Sequence, residues 1–445
     1  MTHKRIIILG GGLTGLIAAN ICSNLGIDTI LVEKTNSLGG GNKSTTNKNG
    51  DIFDLGYHAL DFNRSVITTN FFQKIIKNQY YKIKLKRGII IRNHLFPYNS
   101  KISQWPIDLQ NIFKIKLNKD SIKGNLNRKK ISNIYGKKFT QLVFDEILPS
   151  YPAANWSIQN GGNETDFAGI VYPWFFPNVS KTVIRDSEWD RFHDSMRETQ
   201  EHYILYPKKN GFQEFVNALI NYINKDYCKI IKNIKKSEVI INSKTKEIKN
   251  LKLNGKTVSA DLYFWCNSPI SLSKILNINI KTEKSLIPQK IIFGNFVFKK
   301  EIKQDFHEIL VGSLEHKINR ISFPGKIANK KNNLVQVEFS FPENQHSVDK
   351  NYWKPIWLES LKKVGIVKSD NILKSFSIVS ETRGMISKYE IEHIRNLYES
   401  KISHEKGNNI IIPSFNFGPE NINRVVPQVI LNTVQALTSL TGNSK

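Results

Sequence analysis

The chain has 445 residues, carries 64 lysines and arginines against 38 aspartates and glutamates, and has a formal net charge of +26. That length allows a large core and two or more subdomains, and no uninterrupted apolar run reaches the ~18 residues of a spanning helix. Cys22, Cys228 and Cys266 are far apart and lack C-x-x-C spacing, so they give no sign of a zinc site or a disulfide framework and fit a reducing cytoplasm.

The first elements are the most informative. Residues 5–9, Arg5-Ile6-Ile7-Ile8-Leu9, read as a strand. Gly10, Gly12 and Gly15 follow in G-x-G-x-x-G spacing, residues 16–25 read as a helix, and Gly26 stands where a helix stop belongs. Residues 29–32 read as a second strand, closed by Glu33 and Lys34. Each part has a physical task. Gly10 permits a tight turn, Gly12 lets a pyrophosphate approach the backbone, and Gly15 lets the helix pack on the strand. The helix start, at Leu13 and Thr14, offers unpaired N–H groups and a positive dipole end to phosphates. Glu33 lies where an acid binds ribose hydroxyls. A glycine-rich turn with no ligand is the bland alternative. Lys4 and Arg5 before an apolar stretch mimic a secretory signal, but the glycines, Thr14, Asn20 and the second strand argue against cleavage.

A second glycine cluster follows, Gly39-Gly40-Gly41-Asn42, then a polar stretch at 43–50 that reads as a loop. Order resumes through Phe53, Asp54, Gly56 and His58. Residues 71–146 mix helical runs with a strand pair near 88–97, and 151–177 form a Pro- and aromatic-rich irregular region. Residues 203–207 read as a strand, and Gly211-Phe212 opens an amphipathic helix through Val216, Leu219, Ile220 and Ile223. Short runs follow at 237–242, 246–253 and 257–265, with Asn254-Gly255 as a hairpin turn between the last two. Residues 291–341 are rich in short strands. The chain then gives a strand at 409–412, a loop around Gly418 and a closing helix through Ile430, Val434 and Leu437.

The excess charge is mostly lysine, spread along the chain among Ile and Asn, as codon bias alone would produce. Its densest part, residues 114–138, reads as a solvated helical face, with a phosphate-rich substrate or a membrane surface as the alternatives. No zinc finger or aromatic RNA-binding motif points to specific nucleic-acid recognition.

Taken together, these motifs resemble the FAD-binding proteins of the glutathione-reductase-like superfamily, in the branch of amine oxidases, protoporphyrinogen oxidases, phytoene desaturases and UDP-galactopyranose mutases. The resemblance implies an α/β fold: a Rossmann-like, three-layer FAD-binding domain with a parallel sheet, and an inserted α+β substrate domain. Residues 1–70, 203–275 and 396–445 would form the FAD domain, 71–202 a mainly helical cap, and 276–395 the substrate sheet. The implied FAD contacts are Gly10, Gly12, Leu13, Thr14, Gly15, Glu33, Lys34, Gly40, Gly41, Asn42, Gly56 and His58. Ile234 or Val239 would meet the adenine, and Gly418, Asn421 and Asn423 the flavin end. The family's Gly-Asp or Gly-Arg signature near the C-terminus is replaced here by Phe415-Asn416-Phe417-Gly418-Pro419.

The resemblance implies an enzyme, with His58 and Arg383 as the catalytic candidates. Two chemistries compete: hydride transfer from a small molecule to the flavin, and a non-redox sugar-nucleotide mutase reaction of surface-polysaccharide synthesis. His58, the basic balance and Trp105-Pro106-Ile107-Asp108 favour the mutase. Length and layout favour the oxidoreductase. A scaffold that binds FAD without catalysis is a third class. Arg383 otherwise reads as a surface ion pair, and Tyr389 and Trp156 as core aromatics or pocket lining. The partner is a small-molecule substrate, with a nucleotide sugar or another anion among the options. Membrane-surface contact stays open.

Overall fold

The computed structural model describes residues 4–56, 58–61, 65–98, 105–113, 129, 132–133, 136–142, 146, 203–280, 286–387, 391–415 and 422–442. In chain order, β1 (Arg5–Leu9), α1 (Leu13–Asn24) and β2 (Asp28–Val32) form the opening crossover. Then come β3 (Ser44–Thr46), β4 (Ile52–Asp54), β5 (Leu60–Asp61), α2 (Val66–Ile76), β6 (Tyr80–Lys84), β7 (Arg87–Ile91), β8 (His94–Pro97), α3 (Ile107–Phe113) and α4 (Lys137–Gln141). The middle of the chain gives β9 (Tyr203–Pro207), α5 (Gln213–Tyr222), β10 (Cys228–Ile231), β11 (Ser237–Ile241), β12 (Ile248–Leu253), β13 (Lys256–Val258), β14 (Leu262–Trp265) and α6 (Pro269–Ile275). After it follow β15 (Leu286–Phe298), β16 (Glu308–Val311), β17 (Arg320–Ser322), α7 (Pro324–Ile327), β18 (Leu334–Pro342), α8 (Lys350–Lys363) and β19 (Leu373–Ser387). The closing elements are α9 (Ile391–Glu405), β20 (Ile410–Ile411) and α10 (Ile422–Gly442).

A five-stranded sheet, order β10-β2-β1-β14-β20, is parallel throughout. Its strands are apolar on both faces because both faces are covered. Ile6, Ile8, Leu31 and Phe264 pack against α1, α5 and α10. Ile7, Leu9, Ile30, Val32, Tyr263 and Trp265 pack against β12, α6 and α9. The result is three layers, with the antiparallel sheet β11-β12-β13 in the third.

A seven-stranded sheet, order β19-β15-β18-β17-β16-β7-β8, forms the inserted domain. One face packs on Trp353 and Trp357 of α8. The other meets the first domain through Phe53 and Leu55 against Ile291, Phe293, Val297 and Leu334. A further three-stranded sheet, β5-β9-β6, puts Leu60 and Leu205 into the core of the first domain. Among the described residues of 71–202, β6, β7 and β8 enter two sheets beside α3 and α4, and most of the expected helical cap lies outside the described residues.

Two expectations are corrected. Residues 43–50 are not simply a loop: β3 pairs antiparallel with β4 and turns through Asn47, whose side chain accepts from Asn49 N and Asp51 N. The run at 257–265 is two strands. β13 closes a hairpin on β12, and Asp261 N then donates to Arg5 O at 2.9 Å as β14 joins the parallel sheet. Among the described residues no helix is long and apolar enough to cross a membrane.

Candidate functional site

The site starts at the turn between β1 and α1. Gly10 has φ +114°, and a Cβ there would stand 2.7 Å from Asn267 Oδ1. Gly12 is the N-cap of α1, no side chain caps it, and the first turn holds no acidic residue. The first-turn N–H groups have no carbonyl in a preceding turn to bond. A positive helix end is thus left open beside a glycine whose missing Cβ would meet nothing closer than Gly40 Cα at 3.9 Å.

The second glycine cluster closes on the first. Gly39 N donates to Gly11 O at 2.8 Å, and Gly12 and Gly39 form a parallel bridge. A Cβ on Gly40, which has φ +58°, would stand 3.2 Å from Gly12 Cα. Two loops adjacent only in space thus make one glycine-lined cradle.

Glu33 turns its carboxylate into this cradle. Oε2 accepts from Gly11 N at 2.8 Å, and Oε1 accepts from Thr35 N at 2.7 Å and Thr35 Oγ1 at 2.8 Å. Lys34 is exposed. The chain after β10 runs beside it, with Asn233 N donating to Thr35 O at 3.0 Å and Ile234 buried in the core just beyond.

On the other side, His58 Nε2 lies 3.2 Å from Gly41 O, and its ring centroid is 5.4 Å from that of Phe212. Gly56 has φ +90°, and a Cβ there would meet Phe293 Cε1 at 3.2 Å and Glu338 Oε2 at 3.4 Å. The His58 segment is therefore pressed between the second glycine loop and the seven-stranded sheet. Leu13, Thr14 and Gly15 belong to the first turn of α1, and Asn42 N donates to Gly39 O at 3.0 Å in the second loop. Arg383 lies in β19, where the pairing with β15 shifts register, but its side chain is outside the described residues. Gly418, Asn421, Tyr389 and Trp156 are outside them too, as is the side chain of Asn423, although its backbone lies in α10.

Two polar groupings were not foreseen as site features. One is Asp54, fully enclosed, whose carboxylate accepts from Ser44 Oγ, Tyr206 OH and Phe212 N. Burial pushes its pKa up to about 6 against the pull of those donors. The other is a row of charges across the sheet. Arg87 pairs with Glu308, Arg320 Nη1 lies 3.8 Å from Glu308 Oε2, and Arg320 Nη2 donates to Glu338 Oε2 at 2.6 Å. Arg87 and Glu308 are direct cross-strand neighbours, as are Arg320 and Glu338. The polar alternation in Val335-Gln336-Val337-Glu338-Phe339 was the available signal.

With this geometry in hand, likeness to known proteins is informative. Residues 8–74 match the NAD(P)-binding Rossmann-like domain family. No curated protein sequence matches the chain. The chain shares its overall fold with several solved structures. It is similar to a reduced UDP-galactopyranose mutase, with TM-score 0.72 and 13% identity over 98% of this chain and 96% of that one. It is also similar to a protein of Exiguobacterium sp. 255-15 assigned as a protoporphyrinogen oxidase, with TM-score 0.69 and 16% identity over 98% and 100% of the two chains. A third likeness is to a CLA-producing fatty acid isomerase from P. acnes, with TM-score 0.59 and 12% identity over 97% and 98% of the two chains.

Proposed function

We propose that the chain is an FAD-dependent enzyme and that it oxidises a small molecule. The observation that carries the FAD reading is the contact of two glycine loops at an uncapped helix start, a cradle that a Cβ at Gly12 or Gly40 would begin to fill. Gly12, Leu13 and Thr14 would hold the pyrophosphate by main-chain N–H groups, while Gly10, whose own N–H donates to Val32 O at 2.9 Å, shapes the turn and Gly15 lets the helix pack against it. Glu33, beside Lys34, would accept from the ribose hydroxyls, and the backbone at Ile234 would meet the adenine. Gly40, Gly41, Asn42, Gly56 and His58 would flank the flavin ring, with Gly418, Asn421 and Asn423 as further candidates. When bound, FAD supplies hydride-accepting chemistry that no side chain here offers.

The protein's part is to hold the reactants and exclude water. His58, fixed at Gly41 O, keeps a hydrogen-bonding group at the ring end of the cradle. The sheet wall beside Gly56 is charge-balanced among the described residues, because Arg87 and Arg320 are matched by Glu308 and Glu338. A clamp for a diphosphate needs surplus positive charge, so this wall favours a substrate without one. Arg383 stays a candidate for a substrate anion. The mutase remains the second reading, favoured by His58 at the second glycine loop and by the fold likeness to a mutase. Three free thiols, two of them buried, support a cytoplasmic location.

The test is anaerobic. The FAD-loaded protein is offered amines and porphyrinogens, then UDP-sugars after reduction with dithionite. An oxidoreductase loses its yellow absorbance with one of the first group and regains it in air. Conversion of a UDP-sugar by the reduced protein alone, without consumption of oxidant, would contradict the oxidoreductase and establish the second reading.

A further inference from the structure

Asp54 sits where four parts of the molecule meet. Its Oδ1 accepts from Ser44 Oγ at 2.6 Å and from Phe212 N at 2.9 Å, and its Oδ2 accepts from Tyr206 OH at 2.8 Å. Its own carbonyl accepts from Gln336 Nε2 at 2.7 Å. Gly211, with φ +63°, makes the approach possible, since a Cβ there would stand 2.6 Å from both Asp54 Oδ1 and Ser44 Oγ. Ser44 Oγ also accepts from Gln213 N at 2.9 Å, so the start of α5 is gripped twice.

These anchors are the two walls of His58. Phe212, held by its N–H, presents the ring on which the imidazole packs. Ser44 closely follows Gly41, whose carbonyl faces His58 Nε2. A buried carboxylate that serves only to fill space has no reason to collect three donors from three separate segments, because desolvating it is costly. We propose that Asp54 is a positioning residue: held by Tyr206, it fixes through Ser44 and Phe212 the place and orientation of the His58 imidazole at the second glycine loop. The inference rests on the proposed function for its use in chemistry, but not for the geometry it asserts.

The substitutions separate geometry from charge. Asp54→Asn keeps one oxygen for Ser44 and Phe212 and offers an amide N–H to Tyr206, whose hydroxyl can turn to accept. Asp54→Ala removes every contact, and Tyr206→Phe and Ser44→Ala remove one each. The full chain without added cofactor is treated with diethyl pyrocarbonate, and modification of each histidine is followed by peptide mass spectrometry. His58 should react about fivefold faster in Asp54→Ala and Tyr206→Phe, the scale of one lost hydrogen bond, and at the parent rate in Asp54→Asn. His404, exposed on α9, should be unchanged in all of them. If Asp54→Ala does not fold, Tyr206→Phe and Ser44→Ala decide.

With FAD bound, the shift in the flavin absorbance envelope caused by Asp54→Ala should be non-additive with that of His58→Ala. Lower melting temperatures with parent His58 reactivity and additive spectral shifts would overturn the proposal and leave Asp54 a purely structural residue. A parent protein that takes up no FAD would sink the proposed function instead, while the cofactor-free reactivities would still decide the role of Asp54.

Discussion

His307 is buried in the sheet domain with Nδ1 accepting from Lys86 N at 3.0 Å. A proton on Nδ1 would break that bond, and burial, followed by the nearby Lys326 charge, pushes the pKa down to about 4 against a hydrogen bond to the Lys86 backbone and the Glu308 charge. The folded pKa lies below the unfolded value, so the stability is present above pH ~6.5 and is lost as pH falls towards about 4. Asp54 runs the opposite way, because its raised pKa costs stability as pH rises through about 6. Comparison of the parent with His307→Gln cancels Asp54. The parent should lose about 2 kcal/mol more than the variant between pH 7.5 and pH 5 in denaturant titrations, and parallel curves would refute the reading. At this scale the sequence is legible where chemistry is local. Gly15 could be read at once, and its hypothetical Cβ indeed stands 1.8 Å from Gly10 O. The role of Asp54 could not be read, since Tyr206 and Phe212 lie 152 and 158 residues away.

Elements followed their hydrophobic period where one face was buried. β9 was read with the same ends that the structure shows, and α5 within a residue or two of its ends. β3 was missed because Ser44–Thr46 is short and polar, and it is a strand only because Phe53 and Asp54 across the pair are anchored in the core. The break between β13 and β14 was missed because alternation from Val258 through Ala260 runs straight into the continuous apolar run of Leu262–Trp265, while their partners, β12 and β1, belong to different sheets. The row of charges across β7, β16, β17 and β18 is the feature of this scale that carries an energetic prediction. Glu338→Gln leaves Arg320 with Glu308 at 3.8 Å as its remaining described carboxylate. Removing one partner of a buried pair should cost about 3 kcal/mol, measured by urea unfolding. A loss below ~1 kcal/mol would mean that the pair is solvated as surface pairs are.

The whole molecule is an assembly of distant segments. β2 pairs with β10 and β1 with β14, so the parallel sheet exists only once some two hundred intervening residues have been laid aside. The sequence carried this topology as a resemblance rather than as a pattern: periodicity finds strands, but strand order in a parallel sheet is set by long-range packing. The strand pair at 88–97 was legible, but its membership of the seven-stranded sheet was not, because β7 joins β16 in parallel across about half of the chain. The net charge of +26 stays without an assigned partner, since most of its densest stretch lies outside the described residues.

The central claim is that two glycine loops and an uncapped helix start receive FAD, and equilibrium titration of the folded, cofactor-free protein with FAD tests it most directly. Flavin fluorescence should be quenched to an endpoint of one FAD per chain, and the thermal transition should rise with FAD concentration, by about 2.7 kcal/mol of stabilisation at a hundredfold excess over Kd. Gly12→Val should abolish both effects while leaving a cooperative melt. A parent protein that melts cooperatively, quenches no flavin and gains no stability from FAD would contradict the account.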